Sequence, residues 1–298
     1  MTADTIVETS GLGRRFGSTW ALQDCTLALP AGRLIALIGP NGAGKSTLLN
    51  MIVGLTRPTQ GDITVLDGQT PGSLAALDAI AFVAQDMPLY KNLSVGDTLH
   101  LTRNLNLSFD LQAARRRLDD LGISERQRAG KLSGGQQAQL ALSLALARHP
   151  RLLVLDEPTA SLDPLARHDF MAGVMTAMAD EGVSVVLSSH IIAELERVAD
   201  HLVLVTHGRV RLDGPVEVLA DRHRLVTSPS HEWVAEPGWE VVEASPAGVV
   251  THRLVRLDPG AVVPDSCASR PVGIEELTLA YFRNGASTGS PVLAGAVR

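Results

Sequence analysis

The sequence predicts an α/β fold organised on a parallel sheet. Apolar runs of strand length recur along the chain: Leu34-Ile35-Ala36-Leu37-Ile38, Leu152-Leu153-Val154-Leu155, Val183-Ser184-Val185-Val186-Leu187 and Leu202-Val203-Leu204-Val205. The last three each follow a helix-length segment, and strands alternating with helices build parallel sheets. The runs are unbroken rather than alternating, which suits strands covered on both faces. A glycine-rich turn then joins the first run directly to a helix. With 298 residues, 45% of them hydrophobic, there is material for one large domain or a main domain with an appendage. Disorder as the main state is excluded.

Along the chain, residues 6–66 read as short strands separated by turns, and the helix after the glycine-rich turn runs through Ser46-Thr47-Leu48-Leu49-Asn50-Met51-Ile52. Between about 88 and 131 helices dominate. Ser94 with Asp97 three residues on forms an approximate capping box. Asp110 begins a second helix, whose three adjacent arginines Arg115, Arg116 and Arg117 spread around it as a solvated face or an anion site. Past Leu219 the texture changes to short strand-like pieces broken by Pro237-Gly238, Ser245-Pro246 and Pro259-Gly260, which reads as a small separate module. The expected units are 1–219, with a helical insert at about 86–131, and 220–298.

Composition excludes several functions. The net charge of −6 gives no broad nucleic-acid-binding surface. Cys25 and Cys267 lie too far apart to suggest a metal cluster or a stapled secreted fold. The first ten residues lack the basic and apolar blocks of a secretory leader. No window reaches the roughly 18 unbroken apolar residues of a membrane span. The expectation is a soluble intracellular protein unless a partner brings it to a membrane.

Gly39-Pro40-Asn41-Gly42-Ala43-Gly44-Lys45-Ser46 fits GxxxxGK[ST] between a strand and a helix. Glycines are needed there because the loop wraps a phosphate closely and turns its backbone N–H groups inward. The following helix adds the partial positive charge of its N-terminus. Lys45 supplies a cation for β- and γ-phosphates, and the Ser46 hydroxyl can ligate Mg²⁺. The run Leu152-Leu153-Val154-Leu155-Asp156-Glu157 puts two carboxylates at the carboxyl edge of a parallel sheet, where α/β folds bind ligands. Asp156 would support the Mg²⁺, and Glu157 could polarise a water for attack on the γ-phosphate. Leu132-Ser133-Gly134-Gly135-Gln136 opens a helix over about 137–148 and forms a second anion-binding nest. One triphosphate rarely needs two nests, so this one is expected to serve the nucleotide of another copy.

Together these residues resemble the ATP-binding subunit of an ABC transporter over residues 6–219. The signature loop at Leu132 to Gln136 is the most specific motif. Gln85 in Phe82-Val83-Ala84-Gln85 resembles the Q-loop, Ser161-Leu162-Asp163-Pro164 the D-loop, His190 after Ser188-Ser189 the switch histidine, and Phe16 the aromatic that stacks on adenine. The resemblance implies a P-loop nucleotidase (RecA-like) cassette with an antiparallel β subdomain, a helical insert and a small C-terminal α+β appendage. It also implies ATP and Mg²⁺ as cofactors. The nucleotide would be held by Phe16, Gly39, Asn41, Gly42, Gly44, Lys45, Ser46 and Thr47, with Ser133, Gly134, Gly135, Gln136 and Asp163 completing the set. Ser133, Gly135 and Asp163 would come from a second chain closing head to tail. Ser46, Gln85 and Asp156 would hold the metal, and Glu157, His190 and Gln85 would act in catalysis. The partner would be a separate transmembrane permease subunit, the cassettes forming a homodimer or a heterodimer peripheral on the inner face of the membrane. No nucleic-acid partner is expected.

Gln137 and Ser161 depart from the commonest family residues at their positions. The segment Gly273-Ile274-Glu275-Glu276-Leu277-Thr278-Leu279-Ala280-Tyr281-Phe282-Arg283 resembles the terminal helix of ABC-2 type exporter subunits; an amphipathic helix closing any small domain reads the same way. A soluble ABC ATPase acting on nucleic acid or ribosomes is the alternative. It is opposed by the single cassette, the acidic charge, and the lack of coiled-coil or zinc inserts. A regulator that binds ATP without hydrolysing it is opposed by Glu157 and His190.

Overall fold

A computed structural model describes residues 5–229, 237–263 and 268–284; Cys267 lies outside them. In chain order the strands of the first part are β1 (Thr5–Phe16), β2 (Thr19–Pro30), β3 (Leu34–Ile38), β4 (Gln60–Val65), β5 (Ile80–Val83), β6 (Leu152–Asp156), β7 (Ser184–Ser189), β8 (His201–Thr206) and β9 (Arg209–Pro215). Its helices are α1 (Lys45–Ile52), α2 (Leu74–Ala79), α3 (Val95–Leu105), α4 (Leu111–Asp120), α5 (Gly134–Leu146), α6 (Pro164–Glu181), α7 (Ile192–Leu195) and α8 (Val216–Asp221). The tail holds β10 (His223–Pro229), β11 (Trp239–Ala247), β12 (Val250–Leu257), β13 (Ala268–Pro271) and α9 (Ile274–Asn284).

The main sheet runs β5-β6-β7-β3-β8-β9, parallel except for the β8–β9 pair. A three-stranded antiparallel sheet, β2-β1-β4, covers one face with α1. Side chains alternate across a strand, and β3 shows the consequence. Leu34, Ala36 and Ile38 join the cluster on the α5–α6 side, while Ile35 and Leu37 join the cluster beneath β1, β2 and α1. Both faces are dry, so the run has no polar position. Burying each of its large side chains stabilises the fold by about 1.5–3 kcal/mol.

The helical stretch forms as its caps dictate. Ser94 and Asp97 make a reciprocal capping box at the start of α3. Asp110 accepts from the backbone N–H groups of Gln112 and Ala113 at the start of α4. Of the three arginines, Arg115 forks onto Glu125 through Nε at 2.7 Å, and Arg117 is tucked in against Gly173 of α6. They do not form one anion site.

The tail sheet, β11-β12-β10-β13, does not pack alone. Val242, Leu254, Leu277 and Tyr281 belong to the same buried cluster as Leu195, Leu212 and Leu219. On the other side of that sheet Val226, Trp239, Val255 and Leu257 form a small cluster of their own. Among the described residues no helix is long and apolar enough to cross a membrane.

Candidate nucleotide-binding site

The register of the central strands assembles the site. Asp156, the last residue of β6, pairs with Ser188 of β7, and Ser189 pairs with Ile38, the last residue of β3. The loop 39–44, the Asp156-Glu157 pair and His190 therefore leave one carboxyl edge of the sheet side by side, and Gln85 follows β5 at the same edge. A cleft of about 560 Å³ opens there, lined by Phe16, the loop from Asn41 to Thr47, Gln85 and Glu157.

Only glycine fits the pivots of this loop. Gly44 has φ +108°, and a Cβ on it would lie 2.4 Å from the Ala21 carbonyl oxygen. A Cβ on Gly39 would meet the Val205 carbonyl oxygen at 2.3 Å. Lys45, nearly buried at the first position of α1, donates to the Gly39 carbonyl at 2.8 Å and lies 3.0 Å from Glu157 Oε1. The other carboxylate oxygen of Glu157 is 2.9 Å from His190 Nδ1. Lys45, Glu157 and His190 thus form one polar chain across the cleft.

Glu157 is held by more than its charge partners. It has φ +44°, a strained conformation for a residue with a Cβ. Its backbone N–H donates to the Ser188 hydroxyl at 2.9 Å, and that hydroxyl donates to Asp156 Oδ1 at 2.7 Å. Burial pushes the Glu157 carboxyl up, but the hydrogen bonds and charges of Lys45 and His190 outweigh it and leave the pKa below the usual carboxylate range. The group is therefore ionised at neutral pH.

The sequence presents Ser188 only as a neighbour of His190; its role as the link between both carboxylate residues appears in the structure alone. A buried hydroxyl at the close of an apolar strand, beside another strand's acidic end, is the signal that could have identified it.

The remaining predicted residues divide between the cleft and other places. Asp156 is buried and bonded to Ser188 rather than lining the cleft. Phe16 lines it with its ring half exposed, and the Arg14 guanidinium sits 4.7 Å from the ring centroid. Ser133 and Gln136 form the capping box of α5, the Ser133 hydroxyl accepting from Gln136 N–H and the Gln136 side chain accepting from Ser133 N–H. Asp163 caps α6 by accepting from the N–H groups of Leu165 and Ala166. The two helix starts touch each other: a Cβ on Gly135 would lie 2.7 Å from that of Ala166. They form a second polar edge and do not line the cleft. Gln137 donates its amide to the Leu132 carbonyl at 2.9 Å and so braces the turn before α5.

The donor set near the loop suits a hard divalent cation. Ser46 and Gln85 offer oxygens at the cleft, and Asp156 lies at the same sheet edge. Among the described residues there is no cluster of three or more His, Cys, Asp or Glu for a metal cage. Mg²⁺ binds in this sparse manner, through one or two protein groups with phosphate oxygens and waters completing its shell.

A strand and glycine loop leading into a helix that opens with Lys45 and Ser46, opposed by Asp156 and Glu157 at the end of β6, define a P-loop nucleotide-binding ATPase. The particular family follows from comparison. A family model described as ABC transporter matches residues 22–160. A second, an AAA domain described as a putative AbiEii toxin of a type IV TA system, matches residues 125–196. The chain is similar to the aliphatic sulfonates import ATP-binding protein SsuB 2 of Pseudomonas aeruginosa, at 37% identity over 72% of this chain and 77% of that protein. It is similar also to the Nod factor export ATP-binding protein I of Rhizobium johnstonii, at 34% identity over 72% of this chain and 71% of that one. A solved structure described as the ATP binding subunit of an ABC transporter superposes with a TM-score of 0.65 at 28% identity, covering 73% of this chain and 92% of its own. The chain belongs to the ATP-binding subunits of ABC transporters, and it is an ATPase of that family.

Proposed function

We propose that the chain powers export by a separate transmembrane permease, from the inner face of the membrane, through ATP-driven closure of two cassettes. The observation that carries this reading is the Lys45–Glu157–His190 chain at the phosphate loop. Residues 1–219 form the working cassette in this reading, with the insert at about 86–131, and 220–298 the accessory unit. What supports export over import is the resemblance of α9 to the terminal helix of exporter subunits.

In this reading the loop amides and Lys45 hold the phosphates, Phe16 stacks on adenine, and Ser46, Gln85 and Asp156 hold Mg²⁺. When bound, Mg²⁺ supplies charge neutralisation at the phosphates. Glu157 accepts a hydrogen bond from the attacking water and polarises it, while His190 fixes the carboxylate's orientation. Lys45 is the larger of the two charge influences on Glu157. As Lys45 turns its donors to the γ-phosphate, that influence weakens and Glu157 becomes a stronger proton acceptor when the substrate is seated. Ser133, Gly134, Gly135, Gln136 and Asp163 lie on a polar edge away from their own chain's cleft, which supports their closing over the nucleotide of a second chain. A γ-phosphate held by both chains gives ATP the differential affinity for the closed state that closure requires.

The test is Glu157→Gln. It removes the water-polarising carboxylate but keeps the shape. Phosphate release should be abolished, while ATP and Mg²⁺ convert the protein to a dimer resolved by size-exclusion chromatography. Hydrolysis at the wild-type rate would overturn the assignment.

A further inference from the structure

A cavity larger than the cleft at the phosphate loop lies elsewhere among the described residues. It lies in the tail, between the four-stranded sheet and α9, with a volume of about 760 Å³. Drug-sized ligands occupy pockets of about 300–1,000 Å³ that combine an apolar lining with a few placed polar groups. This cavity has both. Leu225 of β10, Leu254 of β12 and Leu279 of α9 contribute apolar surface from three elements. The Thr227 hydroxyl and His252 Nδ1, 2.8 Å apart, place a polar spot on the sheet side.

The charges around it are unbalanced. Arg270 forks onto Glu276 at 2.7 and 2.8 Å, and Arg283 bonds Glu243 at 3.2 Å. Each of these arginines is thereby matched, and all four side chains line the cavity. Glu275 lines it too, on an exposed position of the first turn of α9, and has no basic partner among the described residues. The lining therefore carries one unmatched negative charge over an apolar floor.

We propose that this cavity binds an amphipathic organic cation, its apolar body lying on the leucines and its amine facing Glu275. The arrangement disfavours an anionic ligand of the same shape, because both arginines already hold carboxylates. None of these residues belongs to the ATP site, so binding here is independent of the reading given above.

The test uses two xanthene dyes of opposite charge and similar body, cationic rhodamine 6G and anionic fluorescein, titrated against the full-length protein by fluorescence anisotropy with saturating ATP present. Rhodamine 6G should bind saturably and fluorescein at least about tenfold more weakly, the ratio expected when an attractive charge is replaced by a repulsive one. Glu275→Gln should weaken rhodamine 6G about threefold, in keeping with a partly exposed charge. Ser245→Trp, an exposed β11 position at the cavity wall, should weaken rhodamine 6G further by occupying part of the space. Circular dichroism of both variants should match the wild type. No saturable binding of rhodamine 6G to the wild type, equal binding of fluorescein, or wild-type binding by both variants would overturn the proposal.

Discussion

Ser188→Ala removes one oxygen atom from the centre of the sheet, and its cost can be worked from two bonds. The hydroxyl is fully buried, donates to Asp156 Oδ1 at 2.7 Å and accepts from Glu157 N–H at 2.9 Å. A hydrogen bond to a charged group contributes about 1.5–3 kcal/mol, and a buried N–H left without an acceptor costs about 1–3 kcal/mol. The two overlap, since one side chain makes both, so a loss of about 3 kcal/mol is expected. At a urea slope of about 3 kcal/mol/M the unfolding midpoint falls by about 1 M. Function should fall separately from stability. In the proposed reading Asp156 supports Mg²⁺; it loses the donor that orients it, and removing such a partner typically costs about 10–100-fold in metal affinity or activity. The Mg²⁺ concentration for half-maximal hydrolysis should therefore rise under conditions where the variant remains folded. Ser189→Ala is the control, because the Ser189 hydroxyl bonds only Ile191 in its own loop. A Ser188→Ala protein within about 0.5 kcal/mol of wild type, with unchanged Mg²⁺ dependence, would refute the role given to this hydroxyl.

Three further outcomes follow from the tail and the core. Burial lowers His223 to about pH 4 against an ordinary 6.5, despite its bond to the Leu219 carbonyl. The unfolded chain then binds the proton first as pH falls, so stability should drop by about 2 kcal/mol between pH 7.5 and 5. Urea midpoints should show it, and His223→Phe should lack that part of the dependence. Glu196 accepts from Ile274 N–H at 2.9 Å and so caps α9 from a position just beyond α7. Glu196→Ala should cost about 1 kcal/mol and speed amide exchange at the start of α9; unchanged exchange would show that the cap holds nothing. Burial pushes the Cys25 thiol up to about 12, so iodoacetamide should leave Cys25 unlabelled in the native protein at pH 8 and label it fully in guanidinium, as read by peptide mass spectrometry.

The conformation of the glycine loop was legible because a backbone turn of this kind is written in glycines. Gly39 and Gly44 stand where any Cβ would strike a carbonyl oxygen, so residue type alone reveals the geometry. The same holds for the helix caps at Ser94 and Asp110, whose partners lie within three residues. Ser188 is different. Its importance depends on standing beside Asp156 across a parallel pair, 32 residues away, and no local pattern encodes that register. The tail was read as a separate module because its strands are short and broken by Pro-Gly turns. Its packing depends on Leu277 and Tyr281 meeting Leu195 and Leu219, contacts that composition cannot locate.

The double role proposed for Ser133, Gln136 and Asp163, as helix caps and as contacts to a second chain's nucleotide, agrees with elementary chemistry. A helix start leaves up to four N–H groups without intrahelical partners, and these side chains satisfy some of them. Capping makes Ser133 an acceptor toward Gln136, which leaves its hydroxyl hydrogen free to donate outward. The remaining N–H groups of α5 point the same way along the helix axis. Asp163, as a carboxylate, can only accept, so at the same edge it can receive a donor but cannot hold a phosphate directly. The family's assignment of these positions to one nucleotide therefore divides by chemistry. Ser133 and the Gly134–Gly135 amides suit the phosphate, and Asp163 suits a water or a donor from the facing chain.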